Sequence, residues 1–294
     1  MYKRLWMKQK RKLQANYKIQ GDNVMSFKNN KFKVWVGVVT LIALTLGAVA
    51  GFYLGLSMSE NKGNHTDEMK MEYRTNYNDS GANSVERKGD HSDSPYFYDK
   101  DFYNAKSENG LYIIPQFKTI QQTSWWSCGV SCTEMVLEHF GKRGDWNEES
   151  LAALRENHED EHIGTCLDQV IDMFKAVGGF ELETTYDYAD NLDAVNMSFI
   201  KEHIAEGTPI IVGWNDWGGH WQVIIGYDTM NTEYEGDDVI IVADPFDTTD
   251  HNQDGYGVYG AERFIYNFTF YDFFGDAQEH LRDKCFVAVK PADN

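Results

Sequence analysis

The chain has 294 residues, room for one large domain or two small ones, and its 42% hydrophobic and 14% aromatic content supplies a packed core, which excludes disorder throughout. The formal charge of −19 is unevenly spread: ten Lys or Arg against one acid, Asp22, precede residue 34, leaving 17 basic and 45 acidic side chains, a charge of −28, in the remainder. So acidic a remainder argues against nucleic acid as a partner, and a soluble surface accounts for it without any ligand.

Residues 1–33 form the basic segment, expected to stay cytoplasmic by the positive-inside bias. Residues 34–56, VWVGVVTLIALTLGAVAGFYLGL, are uncharged for 23 positions and long enough to cross a bilayer, so they predict a single transmembrane helix. A cleaved signal peptide is the rival reading, because Ala48-Val49-Ala50 resembles a small-residue cleavage site, although the apolar run continues through Phe52 and Leu56. Residues 57–95, rich in Ser, Asn, Asp, Glu, Lys and Gly, predict a flexible stalk. The expected arrangement is a single-pass protein of the cell membrane with its 96–294 domain extracytoplasmic.

Within 96–294 the apolar pattern runs from Leu111 to Val289, without internal repeats. Helices are predicted over about 129–140, 148–156, 165–177 and 197–205, the third ending at Gly178-Gly179. From Gly207 onward short Val- and Ile-rich runs separated by Gly, Asp and Asn predict strands: PIIVGWN, HWQVIIGYD, DVIIVAD, GVYGAERFIYNF and CFVAVK. Helices first and strands second predict an α+β domain with an antiparallel sheet rather than a parallel βαβ fold.

The stretch QQTSWWSCGVSCTEMVLEHFG, 121–141, carries the chain's most defined reactive setting. A metal reading places Cys128, Cys132 and His139 within about 40° on one helical face but leaves no fourth ligand. A 128–132 disulfide would span one helical turn with nearly parallel side chains, against disulfide geometry. A nucleophile reading divides the labour: Cys128, before Gly129 at the helix start, sits where unpaired N–H groups and the positive dipole end favour a thiolate, and Cys132, one turn on, is a small buried hydrophobe. Val130, Val136, Leu137 and Phe140 then form the apolar face and Glu134 and Glu138 the wet one.

A thiolate needs a proton acceptor, an orienter and oxyanion donors. His220 opens the strand HWQVIIGYD after Gly218 and Gly219, and Asp244 ends VIIVAD before Pro245, where its carboxylate is a neighbour for that histidine. Gln122, six residues before Cys128, offers a side-chain N–H that with the Cys128 backbone N–H makes an oxyanion hole. Each residue alone has an ordinary alternative: a surface histidine, an Asp-Pro turn, a loop glutamine.

The combination of Gln122, Cys128-Gly129 at a helix start, Gly219-His220 opening a strand and Asp244-Pro245 ending one resembles the papain-like cysteine peptidases. Gln-x5-Cys-Gly and the His-strand-Asp-Pro order, over about 115–290, are similar to the bacteriocin-processing double-glycine peptidases and their stand-alone relatives. The resemblance implies a papain-like fold and hydrolysis of peptide or protein substrates through an acyl-enzyme. By that match Cys128 is the nucleophile, His220 the base and later acid, Asp244 the orienter and Gln122 an oxyanion donor. The transporter-fused members keep this domain in the cytoplasm, whereas here no transporter follows and the charge bias puts it outside, so leader cleavage after Gly-Gly is not carried over.

A cell-wall amidase or endopeptidase, an acyl transferase, and a non-catalytic peptide receptor on the same scaffold stay open as alternatives. We assign no cofactor and no metal site. Asp250-His-Asn252-Gln-Asp254-Gly255 matches the first half of a calcium loop, but position twelve is Ala261 and Glu262 falls one residue late, so a turn explains it equally well.

Overall fold

Seven antiparallel strands form the sheet on which everything else rests, in the order Phe180–Thr184, Cys285–Pro291, Ile210–Trp214, His220–Asp228, Val239–Ala243 and Tyr256–Gly260, with Leu111–Ile113 beside the far half of His220–Asp228. The computed structural model describes residues 71–72, 100–155, 164–247, 254–270 and 282–292. The expected basic segment, transmembrane helix and most of the stalk lie outside these, as do Asp250 and Asn252 of the candidate calcium loop. No helix among the described residues is long and apolar enough to cross a membrane.

In chain order the strands are β1 (Met71–Glu72), β2 (Leu111–Ile113), β3 (Thr119–Ile120), β4 (Phe180–Thr184), β5 (Ile210–Trp214), β6 (His220–Asp228), β7 (Val239–Ala243), β8 (Tyr256–Gly260) and β9 (Cys285–Pro291). The helices are α1 (Cys128–His139), α2 (Glu148–Ala152), α3 (Leu167–Val177), α4 (Met197–Ala205) and α5 (Ala261–Tyr266). The mixed helical and antiparallel architecture is the α+β arrangement the sequence predicts. Within the expected stalk, Met71 and Glu72 pair in parallel with Thr119 and Ile120, which the polar composition there did not foretell.

All five residues of β5 and the first eight of β6 are buried. Successive side chains of a strand point to opposite faces, so both faces of the sheet's centre are covered. The edge strand β4, FELET, was not predicted because its acids at Glu181 and Glu183 break the apolar run, as charges on an edge strand do. The predicted strand over GVYGAERFIYNF is corrected: it turns at Gly260 into α5, where Ala261 and Phe264 are buried three residues apart, a helical and not an alternating spacing.

Helix α1 departs most from expectation. Every residue from Cys128 to Leu137 is buried, so it has no wet face along that span. Glu134, predicted to face water, is fully buried and pairs with Arg143 at 2.8 Å between Nη2 and Oε1. The helix rises from the sheet so closely that a Cβ at Gly129 would stand 2.9 Å from Thr165 Cβ and 3.1 Å from Trp221 Cδ1. Thr165 cannot yield, since its Oγ1 accepts from Arg155 and its carbonyl from the Trp221 indole. Helix propensity favours Ala over Gly by about 1 kcal/mol, but overpacking a tight core costs about 1–3 kcal/mol. Gly129→Ala is therefore expected to lower the melting temperature, as measured by circular dichroism; a rise would show that α1 has room to move off the sheet.

Candidate active site

Cys128 begins α1, and among the described residues no side chain caps that helix and no acid stands in its first turn. The hydroxyl of Ser127, the residue at the cap position, instead donates to the Ser124 carbonyl at 3.1 Å and accepts from the Ser124 N–H at 3.2 Å. The first-turn N–H groups thus have no side-chain cap, and the positive end of the helix dipole is not quenched by a carboxylate of that turn. Cys132, one turn on, is fully buried; burial, then the charges of Cys128 and Asp244, pushes its thiol well above the ordinary cysteine range. All four cysteines are free thiols.

His220 is the first residue of β6 and Asp244 the first after β7, and the antiparallel register that puts Ala243 beside Val223 brings the two together. His220 Nε2 lies 2.7 Å from Asp244 Oδ1. The Cys128 side chain stands within electrostatic reach of the ring. With Nε2 committed to Asp244, Nδ1 is the ring nitrogen left for another partner. Burial opposes an imidazolium here, but the Asp244 charge, the hydrogen bond to Asp244 and the nearby Cys128 prevail and hold the ring's pKa well above the usual histidine value. Burial likewise opposes the Asp244 carboxylate, yet His220 and donors from Phe246 N–H and Gln222 depress its pKa. Both shifts favour a charged pair at neutral pH.

Gln122 is buried beside them, lining the same cavity as Cys128 and His220. Its Nε2 donates to the Ser124 carbonyl at 2.6 Å. An exchanged amide would set two oxygens at that distance, which fixes the orientation. One of its two N–H bonds is spent on Ser124, leaving the other. Its backbone N–H donates to the Pro245 carbonyl at 2.9 Å, tying the loop before Cys128 to the segment that carries Asp244. The four residues expected from the sequence therefore meet at one place. The rival metal set does not: His139 stacks on Phe117 with centroids 5.0 Å apart, and no metal-holding group of three occurs among the described residues. Of the calcium candidates, Asp254 is buried and accepts from the Tyr256 N–H through Oδ1 at 3.1 Å, as a turn residue does.

Three contributors escaped the sequence reading. Glu148, at the start of α2, is buried and accepts from Thr123 N–H at 3.0 Å, Thr123 Oγ1 at 2.6 Å and Ser131 Oγ at 3.2 Å, bracing the loop on one side of Cys128 and α1 on the other. Arg155 is buried with its guanidinium 4.3 Å over the Trp126 ring, within electrostatic reach of Cys128. Gln222 contacts Asp244 directly. The only available signal was for Gln222, which lies two residues after His220 on the same face of β6.

The cavity at the site has a volume of about 260 Å³. Trp125, Trp126, Trp217, Trp221, Phe246 and Phe270 are half of the residues that line it, and no Asp, Glu, Lys or Arg is among the described residues there. Trp125 and Trp217 remain 47% and 57% exposed, with Trp217 stacked over His220 at 5.8 Å and edge-on to Phe246 at 5.0 Å. Trp217, Gly218 and Gly219 hold φ of +51°, +88° and +154°, a run of left-handed backbone that two glycines make affordable just before the histidine.

A thiol heading a buried helix, facing an imidazole–carboxylate pair carried on an antiparallel sheet, is an arrangement of the papain-like cysteine peptidase type. The chain belongs to the Peptidase_C39 like family, whose family model matches residues 114–269. That span contains Gln122, Cys128, His220 and Asp244. No curated protein matches the chain.

Proposed function

We propose that the protein is a cysteine peptidase in which Cys128, His220, Asp244 and Gln122 cleave peptide bonds through an acyl-enzyme. The observation that carries the reading is that Cys128, at a helix start, and His220, held 2.7 Å from the Asp244 carboxylate, line one open cavity. The Cys128 sulfur attacks the carbonyl carbon, forming a C–S bond as the C=O pair moves to oxygen. That oxyanion is held by the Cys128 backbone N–H and the remaining Gln122 N–H. On collapse the C–N bond breaks and His220 Nδ1 delivers its proton to the departing amine. His220 then takes a proton from water, whose attack on the thioester releases the acid and restores the thiolate. The aromatic wall, free of Asp, Glu, Lys and Arg among the described residues, suits a neutral, apolar residue next to the cleaved bond.

Cys128→Ala is expected to abolish hydrolysis and His220→Ala nearly so, and the two should not add. Gln122→Ala should cost about 10²–10³ in turnover while Cys128 still reacts with thiol reagents. Asp244→Ala should cost a smaller, measurable factor, and Cys132→Ala should keep activity. Steady-state kinetics on a peptide identified from a library digest reads all five; activity lost at Cys132 and spared at Cys128 would reverse the roles.

We also propose that residues 34–56 anchor the chain with residues 96–294 outside, supported by ten positive charges before that run. Protease added to intact protoplasts is expected to digest the domain and spare the basic N-terminal segment. Protection of the domain would reverse the topology, and its release near Ala50 would favour signal-peptide cleavage.

A further inference from the structure

Behind the imidazole–carboxylate pair lies a second layer of polar groups, buried in a core that is otherwise apolar. Gln222 is wholly inaccessible to solvent, and its side chain touches four others. Trp214 Nε1 lies 2.7 Å from Gln222 Oε1. An indole nitrogen only donates, so the amide atom facing it is the oxygen and the NH₂ must point the other way. There Gln222 Nε2 donates to Asp244 Oδ2 at 2.7 Å and to Tyr259 Oη at 3.0 Å. Tyr259 Oη in turn donates to Asp216 Oδ2 at 3.1 Å, an oxygen that also stands 3.5 Å from Gln222 Nε2. Every proton in this chain has an acceptor, and its direction is set by the one group that cannot reverse, the Trp214 indole.

The sheet register builds it. Trp214 pairs with His220 and Val212 with Gln222 across β5 and β6, so the indole reaches its glutamine along the diagonal of one sheet face. Asp244 enters that face from the end of β7, and Tyr259 from β8 with its ring 4.9 Å from Trp214 and nearly perpendicular to it. The two oxygens of Asp244 are then divided: Oδ1 takes His220 Nε2 and the Phe246 N–H, and Oδ2 takes Gln222.

We propose that Gln222, locked by Trp214, is a positioning residue that fixes the rotation of the Asp244 carboxylate and keeps it ionised beside His220. The inference rests on the peptidase reading for its effect on turnover, but not for its effect on the imidazole. The titratable groups that face the cluster are Cys128 and Cys132 on α1, His220 on β6, Asp216 between β5 and β6, and Tyr259 on β8. Burial, then the Asp244 charge, raises the Asp216 carboxyl even as Asp244 falls, so the glutamine amide sits between two carboxyls driven apart in acidity. Without the amide, Asp244 Oδ2 loses a donor that favours its anion, its pKa rises, and the imidazolium loses part of the charge that sustains it.

The test uses the full-length protein and two variants, Gln222→Leu and Trp214→Phe, each first shown to keep a cooperative thermal transition. Alkylation of Cys128 by iodoacetate, located by peptide mapping, is followed against pH, because an anionic reagent senses the imidazolium beside the sulfur. In Gln222→Leu the alkaline limb of the profile is expected to move down by about one pH unit, and in Trp214→Phe by less in the same direction. Turnover of a cleaved peptide should fall roughly 10- to 100-fold with KM unchanged. An alkaline limb unmoved in a folded variant overturns the proposal, and if Gln222→Leu does not fold, Trp214→Phe decides it alone. A wild-type protein that alkylates with a bell-shaped profile but cleaves no peptide would overturn the peptidase reading while leaving the role of Gln222 to be settled by the limb.

Discussion

A hydrogen bond of 2.7 Å joins His220 Nε2 to Asp244 Oδ1 in surroundings where neither charge could stand alone. Moving an isolated carboxylate or imidazolium out of water costs several kcal/mol, and the loss is offset only when each ion meets the other and its remaining valences are filled. On the carboxylate they are filled by the Phe246 N–H and the Gln222 amide, and the ring has Cys128 within electrostatic reach. The placement of β6 against β7, the turn after Asp244 and the direction of α1 all serve to keep those groups in contact.

That requirement explains why the surrounding loops are cross-linked by buried polar contacts and not by hydrophobic packing alone. The segment before Cys128 has to follow the segment after Asp244, and the Gln122 N–H to Pro245 carbonyl bond makes it do so. Glu148 holds the same segment from the opposite side through Thr123 while gripping α1 through Ser131, so the loop before Cys128 and the helix it heads share one anchor. Gly129 lets the helix that Cys128 heads approach Trp221 and Thr165 closely. On the solvent side the constraint relaxes, and exposed Trp125 and Trp217 border a largely aromatic cavity of a size to receive a side chain.

The sequence carried the parts whose signal is local. The glycine after Cys128 and the apolar runs ended by Asp-Pro or opened by Gly-Gly-His each leave a mark within a few residues. It failed where a long-range partner overrides a local rule. Glu134 reads as a solvent-facing residue until Arg143 folds back on it, and Glu148 reads as an ordinary first-turn acid until Thr123, 25 residues earlier, is seen to need it. Strand β4 stayed hidden because an edge strand tolerates acids that a central one would not, and α5 because four aromatic residues in GVYGAERFIYNF suggest a strand when their burial spacing is helical. Gln222 and Trp214 are adjacent only through the register of β5 and β6, which no single stretch of sequence encodes.

The account stands on the claim that Cys128 alone, activated by His220, forms the covalent bond to substrate. The most direct measurement is labelling of the folded protein with a peptide carrying a carbonyl electrophile that mimics the acyl acceptor, followed by peptide mapping of the adduct. A single adduct on Cys128, lost in His220→Ala and kept in Cys132→Ala, is the predicted result. An adduct on Cys132, Cys166 or Cys285 in the folded protein, or labelling of Cys128 that is indifferent to His220, would contradict it.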